Sequence, residues 1–224
     1  MSEPVFRDRV QAGQRLADAL ERYADRADVI VLGLPRGGVP VAWEVARKLQ
    51  APLDVMVVRK LGVPNHEELA MGAIASGGVK VIHESVVQAL GISRADLEKA
   101  ADKEAGELRR REQAYRGSTG APDVRDKTVI LVDDGVATGS TLRAAVQALR
   151  QHHPKQIIIA APTASFEAFS TLRPLVDDFI ALMVPADFHA VGQWYEDFSQ
   201  TTDEEVKQLL AMAPVPEPAM RAGA

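Results

Sequence analysis

Five short apolar runs punctuate the chain: residues 29–34 (VIVLGL), 53–58 (LDVMVV), 128–132 (TVILV), 156–162 (QIIIAAP) and 178–184 (DFIALMV). They are rich in Val and Ile, and most do not alternate with polar residues. A strand buried on both faces has that pattern, which implies a parallel sheet covered by helices. Between the runs the period lengthens. Val41, Val45 and Leu49 recur every four residues in 39–49, Leu142, Val146 and Leu149 share one face of 140–150, and a third helical stretch spans about 165–172. Strand–helix alternation predicts an α/β fold, a doubly wound and mostly parallel five-stranded sheet.

Two segments break the alternation. Residues 6–23 read as an amphipathic helix with Phe6, Val10, Leu16, Leu20 and Tyr23 near one face. Residues 60–127 are too many for a simple crossover. They open with a Gly- and Pro-containing loop, LGVPNHEELAMG, followed by two strand-like pieces, AMGAIA and VKVIHE. Ser76-Gly77-Gly78 between those pieces reads as a hairpin turn. A charged helix follows from about Ser93 to Tyr115, with Ser93 and Asp96 as an N-cap pair. Its Arg109-Arg110-Arg111 run sits among many acids and reads as a solvated face.

Composition narrows the function classes. The 224 residues include no cysteine, which excludes a disulfide scaffold, a Cys-ligated zinc site and a catalytic thiol. The length suggests one domain with a core large enough to fold without staples. Twenty-six basic against 31 acidic residues leave a formal charge of −5, which argues against a nucleic-acid partner. The start, MSEPVFRDRVQ, has no apolar signal region, and the apolar runs fall well short of the ~18 residues of a membrane span. A cytoplasmic protein without a membrane partner is expected. The stretch APVPEPAMRAGA has no periodicity, and residues 213–224 are expected to be a disordered tail.

The strongest motif is TVILVDDGVATGSTLRAAVQAL, residues 128–149. A buried strand ends in Asp133 and Asp134, a loop of small residues follows, and a helix begins. In an open α/β sheet, ligands bind beyond the carboxyl ends of the strands. Gly135, Val136, Ala137, Thr138, Gly139, Ser140 and Thr141 therefore lie where a ligand belongs. They are small enough for backbone N–H groups to wrap a phosphate, and the helix adds its positive end. The two acids suit sugar hydroxyls and a hydrated Mg²⁺, which prefers oxygen ligands and keeps its waters. Three familiar motifs fail. GVATGST lacks the lysine of a P-loop, GLPRGG lacks Rossmann spacing, and HEELA has Ala70 where a zinc helix needs a second histidine. A serine hydrolase would need a Gly-x-Ser-x-Gly elbow, and there is none.

The string VILVDDGVATGST resembles the phosphoribosyl pyrophosphate signature of the type I phosphoribosyltransferases, position for position. The resemblance covers the core, about 29–184. It implies that Asp133 and Asp134 hold the ribose hydroxyls and Mg²⁺, through water, and that residues 135–141 grip the 5′-phosphate. It also implies that the loop Leu34-Pro35-Arg36-Gly37-Gly38 binds pyrophosphate through its amides, often with an unusual peptide geometry. Gly37 and Gly38 leave room for an oxyanion, and Arg36 can pair with it. Arg59 and Lys60, read at the end of the second strand, are further candidates for the leaving pyrophosphate. The insertion, about 60–127, resembles the flexible lid and hairpin that close over such sites, and Glu67 or Glu68 is a candidate proton acceptor.

In that family a hood built from the flanking segments binds the base. Here these are 1–28 and 185–210, within a single domain of 1–212. Phe188 and Trp194 are candidates to stack on the base, or else they pack a small subdomain against the core. Ala137 stands where 6-oxopurine enzymes usually carry an acid, so the acceptor is left open. The expected function is a Mg²⁺-dependent phosphoribosyltransferase acting on phosphoribosyl pyrophosphate and an unidentified base; a homodimer is the assembly considered. The alternative is a regulator that binds phosphoribosyl pyrophosphate or a nucleotide without turnover. The flanks 185–210, with LPRGGVPVAWEVARKL and VVRKLGVP, are also similar to bacterial phosphoribosyltransferase-like proteins of unassigned substrate.

Overall fold

The computed structural model describes residues 5–64, 66–117 and 120–213. The tail expected at 213–224 therefore falls almost wholly outside the described residues. Five strands form the main sheet: β1 (Val29–Gly33), β2 (Leu53–Val55), β6 (Thr128–Val132), β7 (Gln156–Thr163) and β8 (Asp178–Met183). All are parallel, in the order β2-β1-β6-β7-β8. The pleat explains why their sequences look uniformly apolar, since successive side chains serve two different cores. Val29, Val31, Ile130, Val132, Ile158 and Ala160 face one side, where they meet α1 (Arg9–Ala19) and α2 (Gly38–Leu49). Ile30, Leu32, Val129, Leu131, Ile157 and Ile159 face the other, where they meet α5 (Ser140–Arg150) and α6 (Phe166–Leu172).

The helix ends follow local chemistry. Asp8 caps α1 by accepting from the Gln11 amide at 2.8 Å, and Ser165 caps α6 by accepting from the Ala168 amide at 3.0 Å. The N-terminal helix is shorter than the periodicity predicts. Val10 is 42% exposed, and Phe6 lies ahead of the helix in a bridge to Tyr195. The buried stripe is instead Ala12, Gly13, Leu16 and Ala17, because α1 crosses α2 so closely that a Cβ on Gly13 would come within 2.8 Å of the Glu44 Cβ.

The insertion builds a second, antiparallel sheet in the order β3-β4-β5: β3 (Val58–Val63), β4 (His66–Ala75) and β5 (Val79–Ile82). The expected hairpin at residues 76–78 is present, with Gly77 and Gly78 at positive φ. Two elements were not anticipated. Strand β3 pairs with β4 along a stretch read as the end of one strand and a loop, and α3 (Glu84–Ala89) precedes the charged helix. That helix, α4 (Arg94–Arg116), starts on Ser93, whose hydroxyl accepts from the Asp96 amide at 3.1 Å. Its C-terminal end docks on the main sheet. The Arg116 guanidinium donates to Asp54 at 2.7 Å and to the Val55 carbonyl. The final helix, α7 (Asp203–Met212), is capped by Thr202 and packs against α4 and α2. Among the described residues no helix is long and apolar enough to cross a membrane.

Candidate functional site

The register of the main sheet assembles the site. Strands β1 and β6 are neighbours, with Gly33 opposite Val132, so both carboxyl ends stop at one level. The loop after β1 and the loop after β6 therefore emerge side by side at the centre of the sheet, where the crossover direction reverses. The Leu34 amide donates to the Val132 carbonyl at 2.9 Å and ties the first loop to the second strand. The Pro35–Arg36 peptide is cis.

Two glycines let the loops approach. A Cβ on Gly37 would lie 2.0 Å from the Asp134 Oδ2, and one on Gly38 would lie 2.7 Å from the Val132 carbonyl oxygen. Real side chains do not tolerate either distance, so the contact between the loops requires glycine at both positions.

Residues 135–141 form the wall of a cavity of about 170 Å³, with Asp133 at one side and Val191 across it. That volume is below the roughly 300 Å³ of a typical small-molecule pocket and suits a phosphate-sized head group. Gly139 has φ +69° and opens α5 without a side-chain cap, and the first amide of the helix, that of Ser140, reaches only the Thr138 hydroxyl at 3.5 Å. The amides of Ala137, Thr138 and Gly139 make no backbone hydrogen bond to another described residue. Thr138 and Ser140 hydroxyls sit 3.2 Å apart beside them. The loop is held from behind: the Val136 amide donates to the Thr163 carbonyl at 2.9 Å, and the Ser165 hydroxyl donates to the Ala137 carbonyl at 2.6 Å. A rigid frame thus presents free donors, which is the arrangement an anion needs.

The two acids are not equivalent. Asp133 Oδ1 accepts the Asp134 amide at 2.9 Å, while its side chain borders the cavity. Burial, and then the charge of Asp134, raises its pKa well above the ordinary carboxylate range. Asp134 points the other way, into an ion pair. Arg9 Nε and a terminal nitrogen of the same guanidinium both lie 2.8 Å from Asp134 Oδ2. Burial also raises the pKa of Asp134, and the Arg9 charge opposes that shift. Arg9 is fixed in turn by the Ser199 carbonyl at 2.6 Å and by the Phe198 ring, 4.0 Å below its guanidinium carbon. Tyr195 completes the clamp by donating its hydroxyl to the Asp134 carbonyl at 2.6 Å, and burial holds the phenol strongly protonated. The sequence reading missed Arg9 and Tyr195. Arg9 stands 125 residues from Asp134, and no local pattern marks such a pairing.

The other candidates divide. Arg36 is partly exposed beside the cis peptide, 4.0 Å from Asp203, and Asp203 also accepts the Tyr115 hydroxyl at 2.7 Å. Arg59 and Lys60 were expected at the carboxyl end of the second strand, and they are not there. That strand stops at Val55, and both residues sit inside β3, paired with β4. The Arg59 guanidinium is taken by Glu104 of α4 at 2.8 Å. Neither residue borders the cavity made by residues 135–141. Phe188 and Trp194 do not border it either. Trp194 is buried with Phe6, Ala12 and Tyr195 because the chain segments on either side of the core meet there, and Val191 is the residue of this stretch that reaches the cavity. Glu67 and Glu68 belong to β4, but their side chains lie outside the described residues.

A pair of acids with one member committed to Arg9 is a sparse donor set. Among the described residues no group of three metal-ligating side chains converges. The residues present fit Mg²⁺ only in the form in which it keeps several waters and takes oxygens from a bound substrate, with Asp133 as the acid bordering the cavity.

The fold is an α/β sheet with two loops paired at the carboxyl edge of its central strands. Residues 6–168 match the model of the phosphoribosyl transferase domain, and the chain belongs to that family. A provisionally named phosphoribosyl transferase of Mycobacterium tuberculosis strain CDC 1551 / Oshkosh is 44% identical over 209 residues, covering 93% of this chain and 47% of the relative. The chain thus spans about half the length of the curated relatives it matches most fully. The bifunctional protein PyrR of Actinobacillus succinogenes is 30% identical over 132 residues, 59% of this chain and 56% of that protein. The crystal structure of TT1426 from Thermus thermophilus superposes with a TM-score of 0.82 at 43% identity, over 92% of this chain and 97% of the other.

Proposed function

We propose that this domain transfers the phosphoribosyl group of phosphoribosyl pyrophosphate to a nitrogenous base and releases pyrophosphate. The observation that supports this reading most is the pairing of two loops at the ends of β1 and β6. One supplies amides and hydroxyls around a phosphate-sized cavity, and the other brings Gly37 and Gly38 against Asp134 and Asp133, with Arg36 next to them in the chain. In this reading residues 135–141 hold the 5′-phosphate, Asp133 accepts from ribose hydroxyls, and Arg36 with the Gly37 and Gly38 loop receives the pyrophosphate. Mg²⁺, when bound, would supply positive charge to the departing pyrophosphate.

The bond from the anomeric carbon to the pyrophosphate oxygen breaks, its electron pair leaving with pyrophosphate. The base nitrogen forms the new bond with its lone pair, and the proton that the base then gives up passes to Glu67 or Glu68 or to solvent. The chain's contribution is to fix the sugar and to place Arg36 where negative charge accumulates. Segments 1–28 and 185–210 serve as the hood for the base, within a single domain of 1–212. A cytoplasmic setting agrees with this substrate class.

A second reading, a regulator that binds the same ligand without turnover, is favoured by one observation. Asp134 and Arg59 are occupied by Arg9 and Glu104 rather than turned to the cavity. Labelled phosphoribosyl pyrophosphate with a panel of bases separates the two. Pyrophosphate release with any base supports the transferase, and Asp133→Asn should abolish it; tight binding with no release for the whole panel supports the regulator.

A further inference from the structure

Residue 134 is engaged through its amide, its carbonyl and its carboxylate. The amide donates to Asp133 Oδ1 at 2.9 Å, and the carbonyl accepts the Tyr195 hydroxyl at 2.6 Å. Two nitrogens of Arg9 lie 2.8 Å from Asp134 Oδ2. Arg9 is pinned from two further sides, by the Ser199 carbonyl and the Phe198 ring. Gly37 closes another approach, since its backbone passes so near Asp134 Oδ2 that a Cβ would fall 2.0 Å from it. Both members of the ion pair are largely buried. Such a pair resists opening, because parting it leaves a buried charge without a counter-charge. A sugar hydroxyl is a neutral donor, and its hydrogen bond is weaker than the charge-assisted pair it would have to displace.

Asp133 is the acid of the pair that borders the cavity of residues 135–141. Its Oδ1 already takes the Asp134 amide, which leaves Oδ2 for a ligand. Ribose carries two ring hydroxyls on adjacent carbons, and two free carboxylates could accept from both. One carboxylate with one oxygen spent is suited to a single hydroxyl.

We propose that Arg9 determines specificity for the sugar: by holding Asp134 it leaves a subsite that reads one ring hydroxyl of a pentose 5-phosphate instead of two. A deoxypentose 5-phosphate that keeps that hydroxyl is then bound like ribose 5-phosphate. The inference rests on the sugar phosphate reading of the site, though not on turnover. The test is calorimetric titration of the full chain with ribose 5-phosphate, 2-deoxyribose 5-phosphate and 3-deoxyribose 5-phosphate. One deoxy sugar should bind within about threefold of ribose 5-phosphate. The other, lacking the hydroxyl that Asp133 accepts, should bind about tenfold more weakly, the size of a hydrogen bond to a charged group. A loss beyond about threefold for both deoxy sugars, or for neither, overturns the inference. Failure of the reading beneath it is distinguishable. Ribose 5-phosphate then does not bind, or binds unchanged to a Ser140→Glu chain, whose added carboxylate should repel the phosphate; either result overturns the phosphate site and the inference with it. Arg9→Met tests the cause. In a chain that circular dichroism shows to be folded, Asp134 is released, and both deoxy sugars should lose about tenfold against ribose 5-phosphate. An unchanged pattern overturns Arg9 as the residue that sets it. The three-sugar comparison on the unaltered chain decides the inference whether or not this variant folds.

Discussion

Replacing Arg9 with methionine keeps an apolar stem beside Phe198 and removes the charge that Asp134 faces. Both partners are largely buried, with side-chain exposures of 12% and 13%, so solvent screening is slight. Removing one member of such a pair costs about 3–5 kcal/mol, because a buried carboxylate is left without a counter-charge. The lost stacking on Phe198 adds about 0.5–1 kcal/mol. A total of about 3.5–6 kcal/mol should lower the melting temperature by roughly 7–24 °C in a domain of this size. Urea unfolding followed by tryptophan fluorescence reads the effect directly, since Trp194 packs in the cluster with Tyr195. Two controls identify the charge as the cause. Asp134→Asn in the Arg9→Met background should recover about 1–3 kcal/mol, the size of a direct coupling. The deficit should also shrink on acidification. Burial already raises the folded pKa of Asp134 against the opposing Arg9 charge, and without Arg9 it rises further above the unfolded value. The folded state then holds a proton that the unfolded state has lost, so stability falls as pH rises through that window and returns below it. A deficit under about 1 kcal/mol, or one that neither the Asp134→Asn change nor acid relieves, would refute the clamp as an electrostatic device.

Gly135→Ala would place a Cβ 2.3 Å from Val191 Cγ1 and should cost about 1–3 kcal/mol by overpacking; Val191→Ala in the same chain should restore stability in a thermal melt. Thr163 is fully buried, and its hydroxyl finds no partner among the described residues, so Thr163→Val should stabilise by about 1 kcal/mol and raise the melting temperature. Burial and the Asp203 hydrogen bond push the Tyr115 phenol up to about 12. An unfolded tyrosine ionises near about 10, so stability is lost as pH climbs between those values, and Tyr115→Phe should flatten that decline.

The sheet was readable because each strand serves two cores and is apolar throughout. TVILV at 128–132 and the helix at 140–150 emerge at the bounds that their periodicity implies. Strand β3 was not readable for the opposite reason. Its Arg59-Lys60-Leu61-Gly62 stretch carries side chains for α4 and for solvent, and its pairing with β4 shifts register at Gly62, so no alternation survives. The acid pair and the small-residue loop were visible as a local motif, and the structure sets Asp133 beside residues 135–141. What surrounds Asp134 was invisible, since Arg9 and Tyr195 meet it from distant parts of the chain and Ser199 holds Arg9 in turn. Val10, placed on the buried face by spacing, is exposed because the helix rotates to bring Gly13 against α2.

The clamp on Asp134 also orders events in time. Its contacts join residue 134 to residue 9 across 125 positions, residue 195 to residue 134 across 61, and residue 9 to residue 199 across 190. Every strand of the main sheet is complete by Met183, yet Arg9 has no Ser199 or Phe198 to rest on until the ribosome has passed both. A nascent chain can therefore own its core and its small-residue loop 135–141 while the carboxylate between them is still unsealed. Contacts of such long range close late in folding as well. The clamp is thus a last stitch, and its closing marks the moment when the domain's two ends have both arrived.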